Sequence, residues 1–262
     1  MPPYDPIVRK RAAAIGFLLI LAALAAAAMA ITEFSVTRGL ASVPKAVLWG
    51  FSNFYPDQAA LEKLPDILDK LLDTVLMSVA AATVASVFAF VFALFGSRTT
   101  MASGMFARLA RGVATLFRNI DVAAWAMILL FSFGQSDLTG YFALFFFSFG
   151  FLTRAFIETI DEVSGSSVEA LRATGAGFVP IVVHSVIPSA LPLMLSWLLF
   201  TIETNIRSAT LVGILTGTGI GFAFNLYYKS LNYHAASLVV LVIVAAILLI
   251  EAVSNHVRRV IL

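Results

Sequence analysis

Residues 168–188 read VEALRATGAGFVPIVVHSVIP. They stand between two long apolar runs, yet they carry Glu169, Arg172, Gly175, Gly177, Pro180 and Pro188. Charged residues at membrane depth are costly and interior prolines break helices, so the stretch is a poor span. The run Ala170 to Thr174 extends a helix, so it is not an ordinary loop either. The reading that fits is a short helix between two breaks. Ser164, Ser166 and Ser167 are placed to cap its start, with Glu169 near the first turn. Gly175 and Gly177 end it, and Pro180 forbids smooth continuation into the next apolar run.

The rest of the chain says which kind of protein surrounds this helix. Of 262 residues, 60% are hydrophobic and 12% charged, with a mean hydropathy of +0.96. Soluble domains carry about 25% charged residues. A chain this poor in charge belongs in a membrane. Its apolar runs are near-continuous over about 20 residues, the length a helix needs to cross. The alternating segments of about 10 residues that build a barrel are not seen. With no cysteine, disulfide frameworks, thiolate metal sites and cysteine nucleophiles are excluded. A net charge of +2 gives no nucleic-acid footprint.

Six apolar runs are expected as spans: 12–31, 74–95, 120–133, 140–157, 181–202 and 236–250. The first has two readings. Arg9-Lys10-Arg11 followed by an apolar run and Ala28-Met29-Ala30 fits a cleaved signal peptide or an uncleaved span. The run exceeds the usual signal core of roughly 7–15 residues, which favours the span. The third run is short and begins beside Asp121, so its start extends back toward Val113. Six spans put both ends on one side, together with the arginine loop that carries Arg98, Arg108, Arg111 and Arg118 and no acid. By the positive-inside rule that side is the cytoplasm. The acid-rich segment 32–73 then lies outside, where LEKLPDILDKLLD places Leu64, Ile67, Leu68, Leu71 and Leu72 on one face of an amphipathic helix. Residues 1–73 thus form an N-terminal span plus an extracytoplasmic segment. Residues 74–262 form a core domain with the opening motif in an inner loop at 158–180. Acids contribute little to topology. That loop carries Glu158, Asp161, Glu162 and Glu169 against Arg172, which points to a separate job for it.

Glu169-Ala170-Leu171, three further residues, Gly175, and then Ile187-Pro188 resemble the EAA motif of binding-protein-dependent ABC importer permeases. Leu171 departs from the usual second alanine, and Ser185 takes a place often held by isoleucine. EALRATGA at 169–176 together with ETNIRSATLVGILTGTGIG at 203–221 resembles the phosphonate-type permeases, with Thr216 and Thr218 where relatives often have glycine. Looser similarity runs from about residue 70 to the C-terminus. The resemblance implies an all-α integral membrane chain of about six transmembrane helices, a type I ABC importer permease-like bundle with a cytoplasmic coupling helix. It implies that Glu169, Ala170, Leu171, Arg172, Gly175 and Pro188 couple the bundle to an ATPase. The implied partners are two ATP-binding subunits, a second permease chain (identical or a sibling), an extracytoplasmic solute-binding protein and membrane lipid. ATP and Mg would sit on the partner ATPase, and this chain would bind no cofactor. The implied setting is a bacterial inner membrane with both termini cytoplasmic, and the implied solute a phosphonate, phosphite or related oxyanion.

The same region offers a solute path or gate: Glu203, Asn205, Arg207, Ser208, Thr210, Gly213, Gly217, Gly219 and Gly221. Glu203 and Arg207 lie four apart and can pair on a helix. Arg207 then either attracts an oxyanion or serves a salt bridge that holds a helix end. The glycines either let helices pack closely or break a helix into a re-entrant gate. Arg118 with Asp121, and Arg154 with Glu158, are expected as interfacial pairs at span ends. None of the lysines Lys10, Lys45, Lys63, Lys70 and Lys229 follows a glycine, so no Walker A sequence is present and energy must come from elsewhere. Gly217-x-Gly219 lacks the strand-to-helix context of a nucleotide loop. An ion-coupled secondary transporter fits the broken-helix region but leaves the EAA spacing unexplained. An intramembrane enzyme has no Gly-x-Ser-x-Gly, His-Glu-x-x-His or paired-aspartate motif to stand on.

Overall fold

The computed structural model describes residues 6–100 and 104–261, and every regular element among them is a helix. The chain divides into two units, 1–53 and 54–262. In the first, α1 (Pro6–Ile31) is apolar on all sides beyond Arg11 and α2 (Val36–Asn53) is amphipathic.

The second unit opens with α3 (Gln58–Leu61), whose Ala60 N–H donates to the capping carboxylate of Asp57 at 2.7 Å. Next comes α4 (Leu64–Gly96). The expected surface helix and second span are therefore one continuous helix. Pro65 sits in its first turn, where no N–H is needed, and starts the helix. The expected apolar stripe narrows. Ile67 is buried and Leu64 and Leu71 pack beside it, while Leu68 and Leu72 face outward. The buried line continues through Thr74 and Ser78.

The third run does not extend back to Val113. Helix α5 (Gly104–Asn119) and helix α6 (Val122–Phe133) meet at a 91° bend. Asp121 stops the first and caps the second, accepting the Ala123 N–H at 2.9 Å. No ion pair joins Asp121 to Arg118 among the described residues, because the cap takes the carboxylate instead. At 12 residues α6 reaches about 18 Å, short of a bilayer core of about 30 Å. Among the described residues five helices are long and apolar enough to cross a membrane, and six spans result if the bent pair counts as one.

Helix α7 (Asp137–Val163) is the centre of the bundle, with α4, α5 and α6 packed on it. Ala81, Ala82, Ala85, Ala89 and Ala93 of α4 are all fully buried. Lipid tails are as apolar as leucine, so close approach of small residues is what makes such an interface adhere. Helix α8 (Gly165–Ala173) follows after one residue, then α9 (Phe178–Ile181), a π-helical turn (Val182–Val186) and α10 (Ile187–Thr216). These last three run on as one long apolar helix. Helices α11 (Gly219–Lys229) and α12 (Tyr233–Ile261) complete the unit. Three apolar layers stack along it. One joins the C-terminal half of α4 and α7 to Val168, Ile181 and Val186. The middle one joins α4, α6, α7 and α10. The last joins α3 and the start of α4 to α11 and α12.

Candidate functional site

The residues singled out in the sequence lie before the start of α10, along it and at its far end. At its first end, α8 projects from the bundle. Glu169, Ala170 and Arg172 are exposed, while Leu171 packs against the apolar layer below. Leu171 therefore anchors the helix, which accounts for its size at a position where the motif has alanine. Gly175 takes φ +83°, a left-handed conformation that L side chains adopt with strain. That turn lets the Ala176 N–H return to the Leu171 carbonyl at 3.2 Å, closing α8 in a glycine C-cap. Gly177 then begins α9. Pro180 lies in the first turn of the new helix, so it opens the span and does not delay it.

The serines do other work than capping. The Ser164 side chain makes no cap bond. Ser164 Oγ lies 2.8 Å from Ser189 Oγ, and Ser167 Oγ lies 2.6 Å from Ser185 Oγ. Ser189 donates to the Ser185 carbonyl at 2.7 Å, and Ser167 to the Ser164 carbonyl at 3.1 Å. Those two bonds fix the rest. Ser164 must donate to Ser189, and Ser185 must donate to Ser167. The four hydroxyls form a closed latch between α8 and the start of α10. The π turn brings Ser185 to it and precedes Pro188, whose ring would collide with the carbonyl four residues back in a regular helix. His184 donates from Nδ1 to the Pro180 carbonyl at 3.1 Å. Arg172 reaches the other way and donates Nη2 to the Thr99 carbonyl at 2.8 Å. Thr99 N–H and Ser97 Oγ donate to Asp161 Oδ1 at 3.0 and 2.5 Å. Short helix α8 is thus tied to α10, α7 and the turn after α4. Ser189 and Thr99 carried no signal in the sequence, Asp161 showed only as one acid of the loop, and Ser185 only as a departure from the motif.

Along α10 the polar residues point to different neighbours. Glu203 is buried and bonded by both Arg207, one turn on, and Arg258 of α12, the latter at 2.9 Å. Arg258 also donates to Ser254 at 2.8 Å, and Arg207 lies 3.9 Å from Glu251. The arrangement is a tie between α10 and α12 in which two guanidiniums meet two carboxylates. Arg258 lies in the last turn of α12, 55 positions from Glu203. Asn205 faces α7, donating Nδ2 to Ser148 Oγ at 2.8 Å. Arg154 and Glu158 pair at 2.6 Å as expected. Ser208 and Thr210 are half-buried on the same helix.

At the far end the glycines divide between breaking and packing. Gly217 and Gly219 are left-handed and turn the chain from α10 into α11. Thr74 Oγ1 holds the start of α11 by accepting the Ile220 N–H at 2.9 Å. Gly213 and Gly221 face each other across the turn. A Cβ on Gly221 would overlap the Thr210 carbonyl, and one on Gly213 the Thr218 carbonyl. This turn and the α8 latch are separated by about 45 Å of helix.

The chain resembles known proteins over most of its length. Residues 85–261 match the family described as binding-protein-dependent transport system inner membrane component. Over 170 residues the chain is 28% identical to the phosphate-import permease protein PhnE of Mycolicibacterium smegmatis (strain ATCC 700084 / mc(2)155), covering 65% of this chain and 32% of that protein. Over 167 residues it is 30% identical to the phosphite transport system permease protein PtxC of Stutzerimonas stutzeri, covering 64% and 61%. The match thus spans about a third and about three fifths of these relatives' lengths. The MetNI methionine ABC transporter, in an inward-facing form, has a chain of the same fold. The TM-score is 0.63 at 20% identity, covering 75% of this chain and 98% of that one. A second solved structure, an amino acid ABC transporter with histidines, gives 0.58 at 16% identity, covering 78% and 98%.

Proposed function

The chain belongs to the family of inner membrane components of binding-protein-dependent transport systems, and on that premise we propose that it is the membrane permease of an ATP-driven importer for a phosphorus oxyanion. Phosphonate, phosphite and phosphate are the candidate solutes. The two relatives are named for phosphate import and phosphite transport, and the ETNIRSAT stretch resembles the phosphonate type. In the assembled importer, two such chains, identical or siblings, would form the path in a bacterial inner membrane, with both termini inside. Two ATPase subunits would hold ATP and Mg, and a binding protein would deliver solute outside.

The observation that carries the reading is α8 itself. It is a short exposed helix that shows Glu169 and Ala170 outward and is fastened at its base to the first turns of a long span. A groove on an ATPase that gripped α8 would transmit its motion through the serine latch into α10. Leu171 and Arg172 hold the helix to its own bundle, so a pull on α8 moves more than a loop. ATP-driven closure would rock the spans and open the cavity outward, and hydrolysis would return it inward.

The test is ATP-dependent uptake by the full complex in vesicles, with Glu169→Lys and Gly175→Asp. Uptake should fall at least tenfold while each variant chain still reaches the membrane. Unchanged uptake in both would sink the coupling role of α8. Binding of phosphonate, phosphite and phosphate to the cognate binding protein would decide the solute separately.

A further inference from the structure

A cavity of about 490 Å³ opens between the turn after α4, helix α5 and the end of α7. Its lining includes Arg98, Arg111, Arg154, Glu158 and Asp161. The two carboxylates are already committed. Glu158 pairs with Arg154, and Asp161 accepts from Ser97 and Thr99. Two guanidiniums are not. Arg111 donates Nε to the Gly96 carbonyl at 2.7 Å, yet its Nη2 is sealed from solvent with no acceptor. Arg98 is exposed and has no ion-pair partner among the described residues. A buried N–H of a charged group left without an acceptor is expensive. What the cavity lacks is an anion that can take a planar fork of donors, and phosphate oxygens match that geometry.

The setting selects the source of the phosphate. Helix α5 is bent at 91° to α6 and shows exposed Met105, Leu109 and Leu116 beside its arginines. Helix α5 runs along the end of α7, with Ala110 beside Gly96 and Ile157 and with Phe117 and Arg118 against Gly150, so its outer apolar side chains face acyl chains while the long arginine side chains near its start reach head-group level. Basic pockets at the inner side of a bundle are where anionic head groups settle. We propose that this cavity binds the phosphate of an anionic phospholipid of the inner leaflet, bridging Arg98 and Arg111. The bound lipid steadies the Ser97–Thr100 turn, whose Thr99 carbonyl is the support of Arg172 on α8. Lipid and coupling helix therefore share one backbone turn. The binding itself does not depend on which solute is carried.

The experiment uses the full chain, delipidated in mild detergent and titrated with palmitoyl-oleoyl phosphatidylglycerol in mixed micelles, with retained lipid counted by native mass spectrometry. Phosphatidylcholine and inorganic phosphate are the comparison probes. The wild type should retain phosphatidylglycerol over phosphatidylcholine, and R98Q with R111Q should lower that retention at least tenfold. R108Q removes an exposed arginine of the same helix that does not line the cavity, and it should retain lipid as the wild type does. Should the double variant not fold, R98Q alone, at an exposed position, still lowers retention severalfold. Equal loss in R108Q, or no preference over phosphatidylcholine, overturns the site. Saturable binding of inorganic phosphate that displaces the lipid overturns the lipid assignment. If the arginine variants only release a co-purifying ATPase and leave lipid retention unchanged, the cavity is a protein contact and the proposal fails.

Discussion

Glu203 has a side chain only 9% exposed and holds Arg207 and Arg258 at once. Replacing it by glutamine leaves two guanidiniums facing a neutral amide. Breaking a buried ion pair costs about 3–5 kcal/mol. Arg207 is 45% exposed, so solvent offsets part of the loss and about 1–3 kcal/mol is expected. Glu203→Gln should lower the thermal midpoint of the solubilised chain, and Arg258→Ala on the same background should add little, because the partner is already gone. Gly221 and Gly177 make a matched pair of tests. A methyl on Gly221 meets the Thr210 carbonyl, whereas nothing lies within 4 Å of the corresponding position at Gly177, whose φ is −74°. Gly221→Ala should cost about 2 kcal/mol or more through overpacking and Gly177→Ala should be near neutral, both read from the same melting curves. Tyr227 lies beneath the Lys63 ammonium at 4.8 Å. Burial, and then the charge of Asp66, push its phenol above the ordinary range. A raised acid holds its proton in the folded state. Its contribution is intact below pH ~10 and is lost as pH rises through the folded value. Tyr227→Phe should remove that alkaline loss of stability in a pH titration of the melting temperature.

At the scale of elements, the informative unit is α8 with the π turn. The serine latch joins two segments of one bundle through their hydroxyls, so its residues act by position. Ser185→Ala with Ser189→Ala removes both sides of the latch on α10 while leaving Glu169 and the outer face of α8 untouched. Uptake should fall severalfold with the ATPase still bound, and ATP hydrolysis should become less dependent on the binding protein. A purely structural role would lower the amount of complex and leave that dependence unchanged, and this outcome would overturn the latch. The sequence showed that a helix stood here and where it stopped, because Gly175 and Pro180 are local signals. It did not show the latch, since four serines spread over 25 positions have no period. It misjudged their use as caps because hydroxyls satisfy whichever neighbour the fold supplies. The bend at Asp121 was missed for a related reason. Apolar content continues across it, and only the cap and the 91° turn reveal that α5 and α6 are two separate helices.

For the whole molecule the first question is orientation, and the lack of cysteine makes it directly measurable. Single cysteines at Ser166 and Ser230, both exposed, can be probed with an impermeant maleimide. Ser230→Cys should label in intact cells and Ser166→Cys only after permeabilisation, and the reverse pattern would invert the topology. Hydropathy by itself determined that the chain is a helical membrane bundle, because a bilayer demands about 20 apolar residues per crossing and satisfied backbone throughout. The motif spacing determined where the short helix α8 lies and which family the chain resembles, because caps, glycines and prolines act on their own neighbours. Tertiary structure alone decided which polar groups meet: Glu203 with Arg258, Arg172 with Thr99, Ser164 with Ser189, and the unanswered guanidiniums of Arg98 and Arg111 around one cavity. Those partners stand 25 to 73 positions apart where hydrogen bonds join them. A polar side chain in an apolar bundle takes whichever partner the packing of helices brings within reach, and that packing is set by shape among small residues, which leaves no periodic mark in the sequence.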